Sequence, residues 1–128
     1  MEKKKILVTG FGPFAGNPIN AGWESVKLLP DLWHHDQIEL VIDEIPVSYN
    51  FVEKNITKKW EEHDPIFYVH CGVSHFAKQV TLETLSHNKT YDRPDVDGQV
   101  PESKWYVWIF YKKLQNILLY FKIYFSFI

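Results

Sequence analysis

Three short apolar runs, each bounded by glycine or proline, leave this chain few folds to choose from. Residues 4–9 (KKILVT) are continuously apolar from Ile6 to Val8 and read as a buried strand that stops at Gly10. Residues 38–45 (IELVIDEI) are rich in β-branched side chains and end at Pro46, and residues 65–72 (PIFYVHCG) run from Pro65 to Gly72. The spacers between them read as helices. Asn20 is a good N-cap with Glu24 in the first turn, which predicts a helix to about Leu29 that Pro30 closes. Phe51, Val52, Ile56 and Trp60 recur at near-helical spacing over residues 49–62. Strand, helix, strand, helix, strand predicts a mostly parallel sheet with crossover helices, and ligands of such sheets sit beyond the carboxyl ends of the strands.

After the third run, residues 79–85 (QVTLETL) alternate enough for a fourth strand or an extended site segment, and residues 87–98 are polar and turn-rich around DRPDVDG. Residues 104–128 break the pattern. They are bulky, aromatic and apolar with scattered lysines, hold no Gly, Pro, Ala, Asp or Glu, and show neither a 3.6 nor a 2 period. A membrane-spanning helix needs roughly 20 mostly apolar residues, and Lys112, Lys113, Gln115, Asn116 and Lys122 interrupt this run. The residue types favour A/T-rich codons, so the expectation is a non-homologous tail, translated intron or shifted frame, joined near Ser103. A continuous coding exon through Ser103 in related genes would rule that out.

A chain of 128 residues supports one domain with its own core. A net charge of −2 gives no electrostatic reason to expect nucleic acid or an anionic membrane. The single cysteine, Cys71, has no internal disulfide partner, which fits a reducing compartment such as the cytoplasm. The apolar run at residues 6–8 is too short for a secretory signal.

The loop TGFGPFAGN (residues 9–17) follows the first strand as a phosphate loop would. Its spacing, Gly10-x-Gly12-x-x-x-Gly16 with Pro13 inside, fits neither the dinucleotide fingerprint nor a Walker loop. Phe11 and Phe14 suit a flat, mostly apolar ligand ring, with the glycines letting backbone approach it; the plain alternative is that both rings plug the end of the sheet. Cys71 reads as a small buried hydrophobe, although His70 and His75 stand close enough in sequence for a rearranged Cys–His pair to be conceivable. His34, His35, His63 and His87 lack the convergent spacing of a zinc site, so no metal is expected.

Four collinear segments carry a resemblance to a known family: ILVTGFGPFAGNPINAGWESVK, EIPVSY, HCGVSHFAKQVTLETLSHNKTY and DGQVPES. Together they span roughly residues 4–103, and they resemble the pyroglutamyl-peptidase I (pyrrolidone-carboxylate peptidase) family. The resemblance implies a cytoplasmic three-layer α/β/α fold, here incomplete at its C-terminal end, assembled in the family as homo-oligomers. It implies a thiol protease, a hydrolase that removes N-terminal pyroglutamyl residues from peptides with no metal or cofactor, and no membrane or nucleic-acid partner. In such chemistry an imidazole raises the thiolate fraction, then protonates the leaving amine, while a third group holds the ring.

Carried over residue by residue, Glu83 falls on the family's catalytic glutamate, and Phe11 and Phe14 on the aromatic pair that embraces the lactam ring. Asn20 matches the family's asparagine at the helix start, where capping suffices as an explanation. The match departs at His75, Thr84 and Ser86. Nothing after Ser103 resembles the family's cysteine- or histidine-bearing segments. The expected organisation is therefore a family portion over 1–103 and an unrelated tail over 104–128, without hydrolytic activity. Its rivals are a non-catalytic pyroglutamyl-binding or regulatory subunit, and a shortened product with no function.

Overall fold

The computed structural model describes residues 2–74, 77–83, 91–102 and 120–125. Five strands form one sheet in the order β2-β1-β3-β5-β4. Strands β1 (Lys4–Phe11), β2 (Ile38–Ile45) and β3 (Phe67–Val73) are parallel, with β1 in the middle, and β5 (Tyr120–Phe125) runs parallel to β3. The short β4 (Thr81–Glu83) closes the row antiparallel to β5. The sheet is open, not a barrel.

The first crossover, from β1 to β2, carries α1 (Ala21–Val26) and the four-residue α2 (Leu29–Leu32). The second, from β2 back past β1 to β3, carries α3 (Tyr49–His63). These two crossovers travel in opposite directions across the sheet, so a common handedness puts their helices on opposite faces. The packing agrees. Leu7, Ile45 and Tyr68 pack with Val52 and Ile56 of α3, whereas Val8, Val69 and Cys71 pack with Val26 of α1. Consecutive strand residues, Leu7 and Val8 or Tyr68 and Val69, thus feed different cores, which is why these strands read as unbroken apolar runs. Full burial of Leu7, Ile45 and Ile56 contributes roughly 1.5–3 kcal/mol each.

The cap expected for α1 forms, and α3 has one of the same kind. Asn20 caps α1 and Ser48 caps α3, each with extended backbone and a side-chain oxygen accepting an amide of the first turn. Two expectations change. Pro30 does not close the first helix: α1 ends at Val26, and Pro30 sits in the first turn of α2, where its missing N–H forgoes no helical hydrogen bond. The second change concerns the strand beside β3. The fourth run in sequence lies at the far edge, and residues 120–125 of the aromatic tail take the inner place. The segment, aromatic and apolar apart from Lys122, supplies the backbone partners that the β3 edge needs. Of the expected fourth strand, Thr81–Glu83 is formed, while residues 84 and 85 lie outside the described residues. No described helix is long and apolar enough to cross a membrane.

Candidate functional site

In a sheet ordered 2-1-3, the connections after β1 and β3 leave in opposite directions, so a crevice opens beyond the carboxyl ends of these two strands. Phe11 is the last residue of β1, at the mouth of that crevice. Its ring lies against the backbone of Gly72 near the end of β3, and it is half-buried, packed on the α3-side core. Phe14 stands further out on a two-residue turn. The backbones of Phe14 and Asn17 exchange hydrogen bonds of 3.2 and 2.7 Å, with Ala15 and Gly16 between them both at positive φ, as a type I′ turn requires. Phe14 itself is half-buried.

The glycines do something other than expected. A Cβ on Gly10 would run into the backbone of Trp23, and one on Gly22 would meet the Cys71 carbonyl oxygen at 2.5 Å. Gly10 and Gly22 thus let α1 lie directly on β1 and β3 rather than admitting a ligand. Asn20, 3% exposed, holds the loop at its base. Its Oδ1 accepts from the Gly22 amide at 2.8 Å, and its Nδ2 donates to the Gly12 carbonyl at 2.9 Å.

Cys71 and His70 are adjacent in β3 and therefore point to opposite faces. His70 lies on the α3 face, its Nδ1 2.5 Å from Thr9 Oγ1 and its ring 4.4 Å from that of Tyr68. Cys71 belongs to the α1-side core, where burial pushes its thiol up to about 11. These two residues cannot form a nucleophile–base pair. His75, Thr84, Ser86 and His87 lie outside the described residues. No group of three His, Cys, Asp or Glu converges among the described residues.

Glu83 ends β4 in register with Lys122 of β5, which is itself in register with His70. Its backbone is therefore level with the Thr9–His70 row, two residues, or about 7 Å, from the row of Gly72 and the mouth of the crevice.

One feature of the site rim escapes the sequence reading. The turn-rich DRPDVDG stretch folds back as a strap over the N-terminus of α3. Asp95 Oδ2 accepts from the Tyr49 amide at 2.8 Å, and Asp95 Oδ1 from the amides of Asp97 and Gln99 at 2.9 Å each. Ser48 Oγ donates to Asp97 Oδ2 at 2.7 Å, and the Val96 amide donates to the Val47 carbonyl at 3.0 Å. Burial would raise the Asp95 carboxyl, but the three amide donors outweigh it and hold the group below its ordinary range. A groove of about 320 Å³ runs between strap and helix, lined by Pro46, Ser48, Asn50, Lys54 and Val96 among others. The Asp-x-Asp-Gly spacing, typical of side chains that bond their own backbone two residues on, was the available signal.

Known proteins resemble both the sequence and this arrangement. The pyroglutamyl peptidase family model matches residues 4–106. Human and rat pyroglutamyl-peptidase 1 are each 46% identical over 89 residues, covering 70% of this chain and 43% of theirs. The pyrrolidone-carboxylate peptidase of Thermococcus onnurineus is 32% identical over 101 residues, covering 78% of this chain and 50% of that protein. Among solved structures, the pyrrolidone carboxyl peptidase of Fervidobacterium islandicum superimposes with a TM-score of 0.69 at 29% identity, covering 77% of this chain and 47% of that one. Pyroglutamyl peptidase I of Bacillus amyloliquefaciens gives 0.66 at 28%, covering 77% and 48%. The chain thus spans half or less of the length of these relatives. The family model spans the sequence from β1 through the strap, the fold agrees over 77% of the chain, and the chain belongs to the pyroglutamyl peptidase family.

Proposed function

We propose that this chain carries the substrate-binding side of a pyroglutamyl peptidase and recognises the lactam ring of an N-terminal pyroglutamyl residue without hydrolysing the peptide. The observation that supports this best is the position of Phe11, packed on Gly72 at the crevice beyond β1 and β3, with Phe14 three residues on at the start of the type I′ turn. Two aromatic walls suit a small, flat, mostly apolar ring. Residues 1–103 make up this family portion, the family model running on to 106, and the rest of the 104–128 tail is unrelated to it, although Tyr120–Phe125 completes the sheet beside β3.

Thiol hydrolysis needs an accessible, low-pKa cysteine beside a histidine. Cys71, the chain's single cysteine, is buried on the α1 face with its thiol raised and His70 turned away. It serves as core. Glu83 is the inherited third member of the triad; with no nucleophile to serve, it does not confer turnover. The cytoplasm and a homo-oligomeric assembly remain part of this reading, on the strength of the family.

The purified chain should bind pyroglutamate in a calorimetric or NMR titration, and Phe14→Ala should weaken binding roughly tenfold. It should not release coumarin from a pyroglutamyl-coumarin amide. Turnover abolished by Cys71→Ala would overturn the reading of Cys71, and absence of pyroglutamate binding would overturn the pocket.

A further inference from the structure

We propose that Asn20 is a positioning residue that sets the shape of the aromatic pocket, beyond its role as a helix cap. The proposal rests on the pocket reading above. Capping α1 requires only an acceptor facing the Gly22 amide, which Ser, Thr or Asp supplies as well as Asn. The other half of the side chain is what singles out asparagine. Nδ2 donates to the carbonyl of Gly12, a buried residue, across eight positions of chain, and a short side chain that accepts at one atom while donating from another is an amide, since a hydroxyl has a single oxygen for both tasks. The surroundings also fix its orientation, because the Gly22 amide must meet an oxygen and the Gly12 carbonyl an N–H.

Gly12 passes the connection on. Its amide donates to the carbonyl of Ile45 at the end of β2, 2.9 Å away. The start of α1, the first residue after β1 and the end of β2 are thus joined through one buried side chain. Everything between Gly12 and Asn20, including the turn that carries Phe14, is suspended from that link. Phe11 is the residue just before it. Without the Nδ2 donor, Gly12 keeps a buried carbonyl with its amide-side tie intact, and the favoured response is for the loop to shift until water reaches it.

Asn20→Asp separates the two roles at constant size, because its carboxylate retains the cap and offers no donor; Asn20→Ser retains the cap but takes away the second polar atom that Gly12 engages. Three readouts apply to both variants: cooperative thermal unfolding, amide exchange at Gly12, Phe14 and Asn17, and affinity for pyroglutamate. The expected result is retained cooperative unfolding, faster exchange at those amides, and binding weakened roughly tenfold, about the worth of one hydrogen bond. Unchanged exchange in a variant that folds would overturn the proposal, as would binding within about twofold of wild type. If the wild-type chain binds no pyroglutamate but Asn20→Ser loosens Phe14 and Asn17 selectively, the pocket reading fails and the positioning of the loop stands.

Discussion

The two faces of the sheet are packed by opposite means. On the α1 face a six-residue helix touches the strands almost backbone to backbone, made possible by Gly10 and Gly22, and the buried side chains are small: Val8, Val26, Val69 and Cys71. On the α3 face a fifteen-residue helix stands off the sheet and the gap is filled with large groups. Tyr68 stacks on Trp60 at 5.8 Å, with Ile56, Phe51, Tyr49 and Phe11 around them. The close face holds the crevice loop to the sheet through Asn20 and Gly22, while the thick face forms the main core and reaches the crevice through Phe11. The lesson is that position comes from the face with the least to bury, and stability from the face with the most.

That contrast can be broken. The largest effect is expected at Ile56→Ala, which empties a fully buried site on the thick face. Chemical denaturation should show a loss of roughly 2–5 kcal/mol, and pyroglutamate affinity should be nearly preserved in the fraction that stays folded. Gly22→Ala should cost roughly 1–3 kcal/mol, since its Cβ meets backbone that cannot rotate away. Unlike Ile56→Ala it should also displace the crevice loop, read as faster exchange at Phe14 and Asn17. Equal loop exchange in the two variants would show that the faces are not specialised.

The smallest effect concerns the strap. The folded-state Asp95 carboxyl lies below its unfolded value, so its contribution is present above about pH 4 and is lost as pH falls through the folded value. Protection from exchange at Tyr49, Asp97 and Gln99, taken relative to the intrinsic rate at each pH, should therefore fall in acid, and Asp95→Ala should remove that pH dependence while leaving Phe14 and Asn17 unchanged. A wild-type profile that is flat through this range would show that the carboxylate does not hold the strap.

Much of this was legible in the sequence because it is local. The strands β1, β2 and β3 announce themselves as apolar runs, and Asn20 precedes its helix as a cap does. The strap was not legible. Asp95 and Tyr49 are 46 residues apart in sequence, and a turn-rich stretch does not say which helix end it will cover. Nor was the use of residues 120–125, whose lack of any period hid a strand flanked on both sides.

By itself, the sequence determined the alternation of strands and helices, the chemistry available at each loop, and a family portion over roughly residues 4–103, which the family model extends to 106. Periodicity and capping act over a few residues, so a linear reading reaches them. The tertiary structure alone decided which side of the sheet each residue serves. The pleat sends His70 to the α3 face and Cys71 to the α1 face, and the direction of each crossover sets which helix covers which face. It likewise turned Gly10 from a presumed ligand contact into the floor beneath α1. Adjacent letters became opposite surfaces, and that separation rules out a Cys71–His70 pair.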